Sequence, residues 1–108
     1  MKRILMTLKK IMEESGFEVV GEAEDGRIGV EKYNELRPDI VTLDITMPEM
    51  DGLTALKGIM AIDPNACVII VSAMGQESYV REAVLSGAKN FIVKPFHKEH
   101  VLKVLNSL

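Results

Sequence analysis

Cys67 is the single cysteine of this 108-residue chain, so no intramolecular disulfide can form. Its setting, CVIIV, reads as a buried strand, where a thiol serves as a small core residue rather than a reactive nucleophile. No apolar run approaches the roughly 20 residues that a membrane span needs. The chain opens MKRILM but then carries Lys9, Lys10, Glu13 and Glu14, which interrupt anything like a signal-peptide core. Basic residues are not in excess: 13 stand against 16 acidic ones, for a net charge of −3. That balance argues against broad nucleic-acid or membrane-surface binding. Low-complexity stretches, linkers and internal repeats are absent. No strand is followed by GxGxxG, so the dinucleotide fingerprint is missing too. The absences converge on a cytoplasmic protein in a reducing setting, with neither nucleic acid nor membrane as partner.

What is present fits one domain spanning residues 1–108, a length that buries enough surface for a single core without staples. Short runs rich in Val and Ile alternate with longer helical patterns. Residues 17–20 (FEVV), 39–44 (DIVTLD), 67–72 (CVIIVS) and 90–94 (NFIVK) read as strands, and near-continuous apolar runs suit parallel strands covered on both faces. Helices are predicted over 26–36, 53–62, 76–86 and 97–107. The first two stop before Arg37-Pro38 and Asp63-Pro64, and the third stops at Gly87, a suitable left-handed cap. On the last, Val101, Leu102, Val104 and Leu105 form the apolar side. The expected fold is therefore α/β, a doubly wound parallel sheet with right-handed crossovers. Ligands of such sheets bind beyond the carboxyl ends of the strands. Asp44, Ser72 and Lys94 each sit at such an end.

Taken singly, each of the three has an ordinary reading: a turn or cap carboxylate, a capping hydroxyl, a solvated lysine. Together they place a carboxylate, a hydroxyl and an ammonium at one sheet edge. A carboxylate can become an acyl phosphate by attacking a phosphodonor. The new dianion then needs a cation and a hydrogen-bond donor, which Lys94 and Ser72 can supply.

The segments FEVVGEAEDG (17–26), DITMPEMDG (44–52), SAMG (72–75) and GAKNFIVKPF (87–96) resemble response-regulator receiver domains, within them the CheY-type chemotaxis regulators. The resemblance covers nearly all of residues 17–108 and implies the flavodoxin-like receiver fold. It implies Asp44 as phosphoacceptor, Ser72 as the switch hydroxyl and Lys94 as the lysine contacting the phosphoryl group. Phe91 falls on the aromatic switch position, where plain core packing is an equal alternative. The Thr46 backbone carbonyl, with Asp44, would ligate Mg²⁺. Implied partners are a CheA-type histidine kinase and flagellar switch or phosphatase proteins, met by residues 76–108. The expectation is a signalling protein and not an enzyme, since a phosphatase-like reading lacks a general acid and a second metal carboxylate.

One part departs from the family pattern. Receivers carry an acidic pair just after the first strand, and here no Asp or Glu precedes Glu13, as though a stretch after Leu5 were missing. The implied Mg²⁺ site is therefore incomplete, with metal binding weak or absent and phosphorylation impaired. Glu22, Glu24 and Asp25 read as a solvated turn, Glu49 and Asp51 as loop residues, and His97 and His100 as surface helix positions. Of Met47, Met50, Met60 and Met74, which could form an adaptable contact surface, Met60 is the best core candidate. If residues 2–5 form a strand, only 11 residues separate it from Phe17, against 18, 22 and 17 in the later connections. A parallel crossover needs about a dozen. The competing reading, favoured by the spacing of Ile4, Leu5, Leu8, Ile11 and Met12, is one helix over residues 2–15 stopped by Gly16, within an atypical segment 1–16. A shorter helix capped by Thr7 is a further option. Either way the N-terminal β/α unit is truncated or rearranged, and a homo-oligomer formed by swapping elements is expected more readily than for an ordinary receiver. The alternative function is a phosphorylation-incompetent pseudo-receiver acting as an interaction or self-assembling scaffold.

Overall fold

The computed structural model describes residues 3–5, 16, 18–21, 26–44, 52–94 and 97–107. Along these the chain runs β1 (Arg3–Leu5), β2 (Glu18–Gly21), α1 (Gly26–Leu36), β3 (Ile40–Asp44), α2 (Gly52–Ile62), β4 (Val68–Ala73), α3 (Glu77–Leu85), β5 (Asn90–Lys94) and α4 (Lys98–Asn106). All five strands are parallel, in the order β2-β1-β3-β4-β5. This is the doubly wound sheet that the alternating pattern implies.

The continuous apolar runs of β3 and β4 follow from burial on both faces. On one face Val41, Leu43, Val68 and Ile70 pack with Tyr33 of α1, Leu56 and Ile59 of α2, and Ala83 of α3. On the other, Ile40, Ile69 and Ile92 meet Val101, Val104 and Leu105 of α4, with Val19 and Cys67 against them. Cys67 and Met60 thus take the packing roles expected of them. The helix stops also follow the local chemistry. Arg37 donates its backbone N–H to the Tyr33 carbonyl at 2.8 Å and adopts φ 45° ahead of the buried Pro38. After α3, Gly87 adopts φ 118° and the Ala88 N–H returns to the Ala83 carbonyl at 3.1 Å, closing the turn. A Cβ on Gly87 would meet the Met60 terminal carbon at 2.9 Å.

The N-terminal helix expected over residues 2–15 is corrected at its start. Arg3–Leu5 is a strand, paired with β2 on one side and β3 on the other. Backbone pairing on both flanks outweighs the local apolar periodicity that reads as a helix, because a vacant slot there would strand two rows of donors and acceptors. Residues 6–15 lie outside the described residues.

Among the described residues the pairing of β1 is short. With β3 it comprises Ile4↔Ile40 and Leu5↔Val41, and with β2 the register breaks between Ile4 and Leu5. By contrast, β3 and β4 share four register pairs and β4 and β5 five. Asp44 therefore stands three residues beyond the last β1–β3 pair.

Candidate functional site

The site grows from the carboxyl ends of β3, β4 and β5. Asp44 closes β3 opposite Val71, Ser72 stands beside Val93, and Ala73 pairs with Lys94, which closes β5. Neighbouring strands lie about 4.8 Å apart, so the three side chains share one edge. Lys94 Nζ donates to Asp44 Oδ2 at 2.6 Å, and the Asp44 side chain retains 13 % exposure. That is a charge-assisted contact across β4, which lies between the strands carrying its two ends.

Ser72 is fully buried, and its hydroxyl has no hydrogen-bond partner among the described residues. A buried hydroxyl without a partner costs on the order of 1–3 kcal/mol, so the site holds an unused donor beside its carboxylate. Strand alternation turns Ser72 to the same face as Val68 and Ile70, as it turns Phe91 and Val93 of β5. All four of Ser72, Val80, Phe91 and Val93 line a cavity of about 560 Å³ beneath α3. Phe91 is 41 % exposed, so its ring is not part of the core in this state. The β4–α3 turn above is fixed by the Ala73 N–H donating to Gln76 Oε1 at 2.6 Å.

Thr46 lies outside the described residues, as do Glu22, Glu24, Asp25, Met47, Glu49, Met50 and Asp51. His97 and His100 are exposed, and among the described residues no group of three or more His, Cys, Asp or Glu is placed to hold a metal. Mg²⁺ requires near-octahedral oxygen coordination at 2.0–2.1 Å. Among the described residues the site offers one carboxylate, Asp44, which accepts from Lys94. In sequence, the three residues that follow Leu5 are Met6, Thr7 and Leu8, none with a carboxylate.

Two features escaped the sequence reading. The cavity beneath α3 depends on which strand residues share a face, and this requires the register. The second is a clasp far along the sheet from Asp44: the buried Tyr33 donates its hydroxyl to Asp63 Oδ2 at 2.8 Å, and the Arg37 guanidinium lies 5.8 Å from the Tyr33 ring. Burial and the Asp63 carboxylate push the Tyr33 phenol up to about 12. The Tyr33 hydroxyl and the Asn65 N–H hold Asp63 below the usual carboxylate range.

A parallel α/β sheet that ends on an aspartate, a buried hydroxyl and a lysine defines a receiver-type domain. The response regulator receiver domain model matches residues 1–106, and the chain belongs to that family. It is 59 % identical to the chemotaxis protein CheY of Thermotoga maritima over 103 residues, covering 95 % of this chain and 86 % of that protein. To CheY of Bacillus subtilis it is 58 % identical, covering 94 % of this chain and 84 % of the relative. Its structure is similar to CheY in the CheX–CheY–BeF3–Mg²⁺ complex of Borrelia burgdorferi, with TM-score 0.92 and 42 % identity over 98 % of this chain and 87 % of that one. The fold is flavodoxin-like and the protein is a CheY-like receiver of two-component signalling. Among the described residues, no helix is long and apolar enough to cross a membrane.

Proposed function

We propose that this receiver accepts a phosphoryl group on Asp44 from a CheA-type histidine kinase, at reduced efficiency because its support for Mg²⁺ is poor. The observation that carries this reading is Lys94 Nζ at 2.6 Å from Asp44 Oδ2, beside a fully buried, unpartnered Ser72 hydroxyl. An Asp44 oxygen attacks phosphorus, and the donor's bond to phosphorus breaks with its electron pair leaving on the donor. Lys94 then turns its charge to the phosphoryl oxygens, and Ser72 donates the hydrogen bond for which it has no other acceptor. Asp44 is modified once per signal, so the protein is a phosphoryl carrier and not an enzyme.

The cavity shared by Ser72 and Phe91 links that chemistry to a surface. Met74, Val84, Leu85 and Phe91 line it and are exposed, and suit a flagellar switch or phosphatase partner in the cytoplasm. The complex of the Borrelia relative with CheX supports a protein partner. Neither nucleic acid nor membrane enters this reading.

A second reading, a pseudo-receiver scaffold, is favoured by the single carboxylate among the described site residues. Intact mass after incubation with Mg²⁺ and acetyl phosphate separates the two. Partial phosphoryl gain, absent in Asp44→Asn, supports the carrier. No gain at any donor concentration leaves the scaffold.

A further inference from the structure

We propose that Gln76 is a built-in competitor for the phosphoryl group on Asp44. Its side-chain carbonyl occupies the Ala73 N–H that the phosphoryl oxygens require, and its displacement frees the turn leading into α3. The inference rests on the reading of Asp44 as phosphoacceptor and names a positioning residue that regulates it.

The direction of that N–H follows from the ladder. Val41 donates its N–H to the Cys67 carbonyl at 2.9 Å, so Cys67 turns its backbone polar groups towards β3. Along a strand these groups alternate sides, and Ile69, Val71 and Ala73 turn the same way. Val71 lies opposite Asp44, the last residue of β3, so Ala73 stands two residues past it. The Ala73 N–H therefore points into the space over the end of β3. Side chains alternate as well, so Val71 and Ala73 share one face with their register partners Asp44 and Lys94. On that face Lys94 Nζ reaches across β4 to Asp44 Oδ2 at 2.6 Å. A phosphoryl group built on Asp44 and held by Lys94 lies over the Ala73 N–H.

In the resting protein that donor is taken, because it donates to Gln76 Oε1 at 2.6 Å. Gln76 is the N-cap of α3, yet its side chain makes no cap bond to its own helix. Its backbone carbonyl accepts from the Val80 N–H at 3.0 Å. One residue thus holds the site through its side chain and the first turn of α3 through its backbone. Gly75, at φ 89°, supplies the left-handed step that this return needs. The Gln76 oxygen is neutral, whereas a hydrogen bond to an ionised phosphoryl oxygen is about twice as strong. The phosphoryl group therefore takes the N–H and Gln76 lets go. Loss of the resting bond opposes phosphorylation and couples it to the start of α3.

Two variants of the full chain provide the test. Gln76→Met keeps the side-chain length and removes the oxygen, whereas Gln76→Glu sets a carboxylate on the same N–H and holds it more firmly. Intact mass is read across a series of acetyl phosphate concentrations with Mg²⁺. Half-phosphorylation is expected at an about three- to tenfold lower concentration for Gln76→Met than for wild type, and at a higher one for Gln76→Glu. Proton–nitrogen correlation spectra read the contact itself. Before phosphorylation the Ala73 amide proton should move upfield in Gln76→Met, and after it the Ala73 signals of wild type and Gln76→Met should converge. Equal midpoints in all three proteins overturn the competition and leave Asp44 a phosphoacceptor. Midpoints that move the same way in both variants overturn it too, as the mark of a general effect on the turn. No mass gain in any of the three sinks the phosphoacceptor reading, and the competition with it.

Discussion

At the scale of single residues, the resting site is held by one strong contact and carries one unmet need. Lys94 neutralises Asp44, whereas Ser72 is buried at 0 % exposure without a partner among the described residues. A hydroxyl in that position lowers the stability of the resting protein and serves only once an acceptor arrives. Ser72→Ala should therefore unfold in urea with stability equal to wild type or up to about 1 kcal/mol higher. The same variant should accumulate less phosphoryl group on Asp44 in the acetyl phosphate assay. A loss of stability above about 1 kcal/mol would mean that the hydroxyl already has a bond worth keeping. The placement of Asp44, Ser72 and Lys94 at one sheet edge was legible in the sequence because each closes an apolar run. The burial of Ser72 and the exposure of Phe91 were not, because both depend on which face each strand residue meets.

Elements obey the same distinction between local and long-range signals. The four described helices lie within a residue of their predicted bounds, since proline after α1 and α2 and glycine after α3 stop them locally. β1 was misread because its apolar spacing suits a helix, and the pairing that overrides it comes from Glu18–Gly21 and Ile40–Val41, distant in the chain. The clasp between α1 and α2 was equally hidden, as nothing in the sequence places Tyr33 beside Asp63. Its pH dependence has two limbs. The folded state raises the Tyr33 phenol from 10.0 to about 12, so its contribution is whole below pH 10 and is lost as pH rises towards 12. Asp63 is held below its ordinary value of 3.8, so its contribution is present above that pH and disappears as pH falls through the lower, folded value. Tyr33→Phe should lower the urea midpoint at pH 7 and flatten the alkaline limb between pH 10 and 12. Midpoints taken at pH 7, 10 and 11.5 check this, and parallel curves for variant and wild type would assign the alkaline loss to other groups.

Across the whole molecule, the sheet edge and the α3 face meet at Ser72, which lies next to the Asp44–Val71 pair and lines the cavity that Phe91 borders. Any pull on the Ser72 side chain from a phosphoryl group changes the room available beneath α3. The cavity, at about 560 Å³, is large enough to take an aromatic ring, and the Phe91 ring now stands 41 % exposed at its margin. Burial of that ring would recover apolar area at roughly 25 cal/mol per Å², a favourable term once the entrance widens. The chain contains no tryptophan, so Phe91→Trp introduces a single indole, whose emission lies to the red of that from the two tyrosines. Saturating acetyl phosphate should shift its emission to the blue as the indole leaves water for the cavity. The shift should vanish when Asp44→Asn is added, and also when Ser72→Ala is added with any residual phosphorylation measured by mass. Unchanged emission from a chain shown by mass to carry the phosphoryl group would separate the two ends of the molecule, leaving Phe91 as a fixed contact residue and α3 indifferent to the state of Asp44.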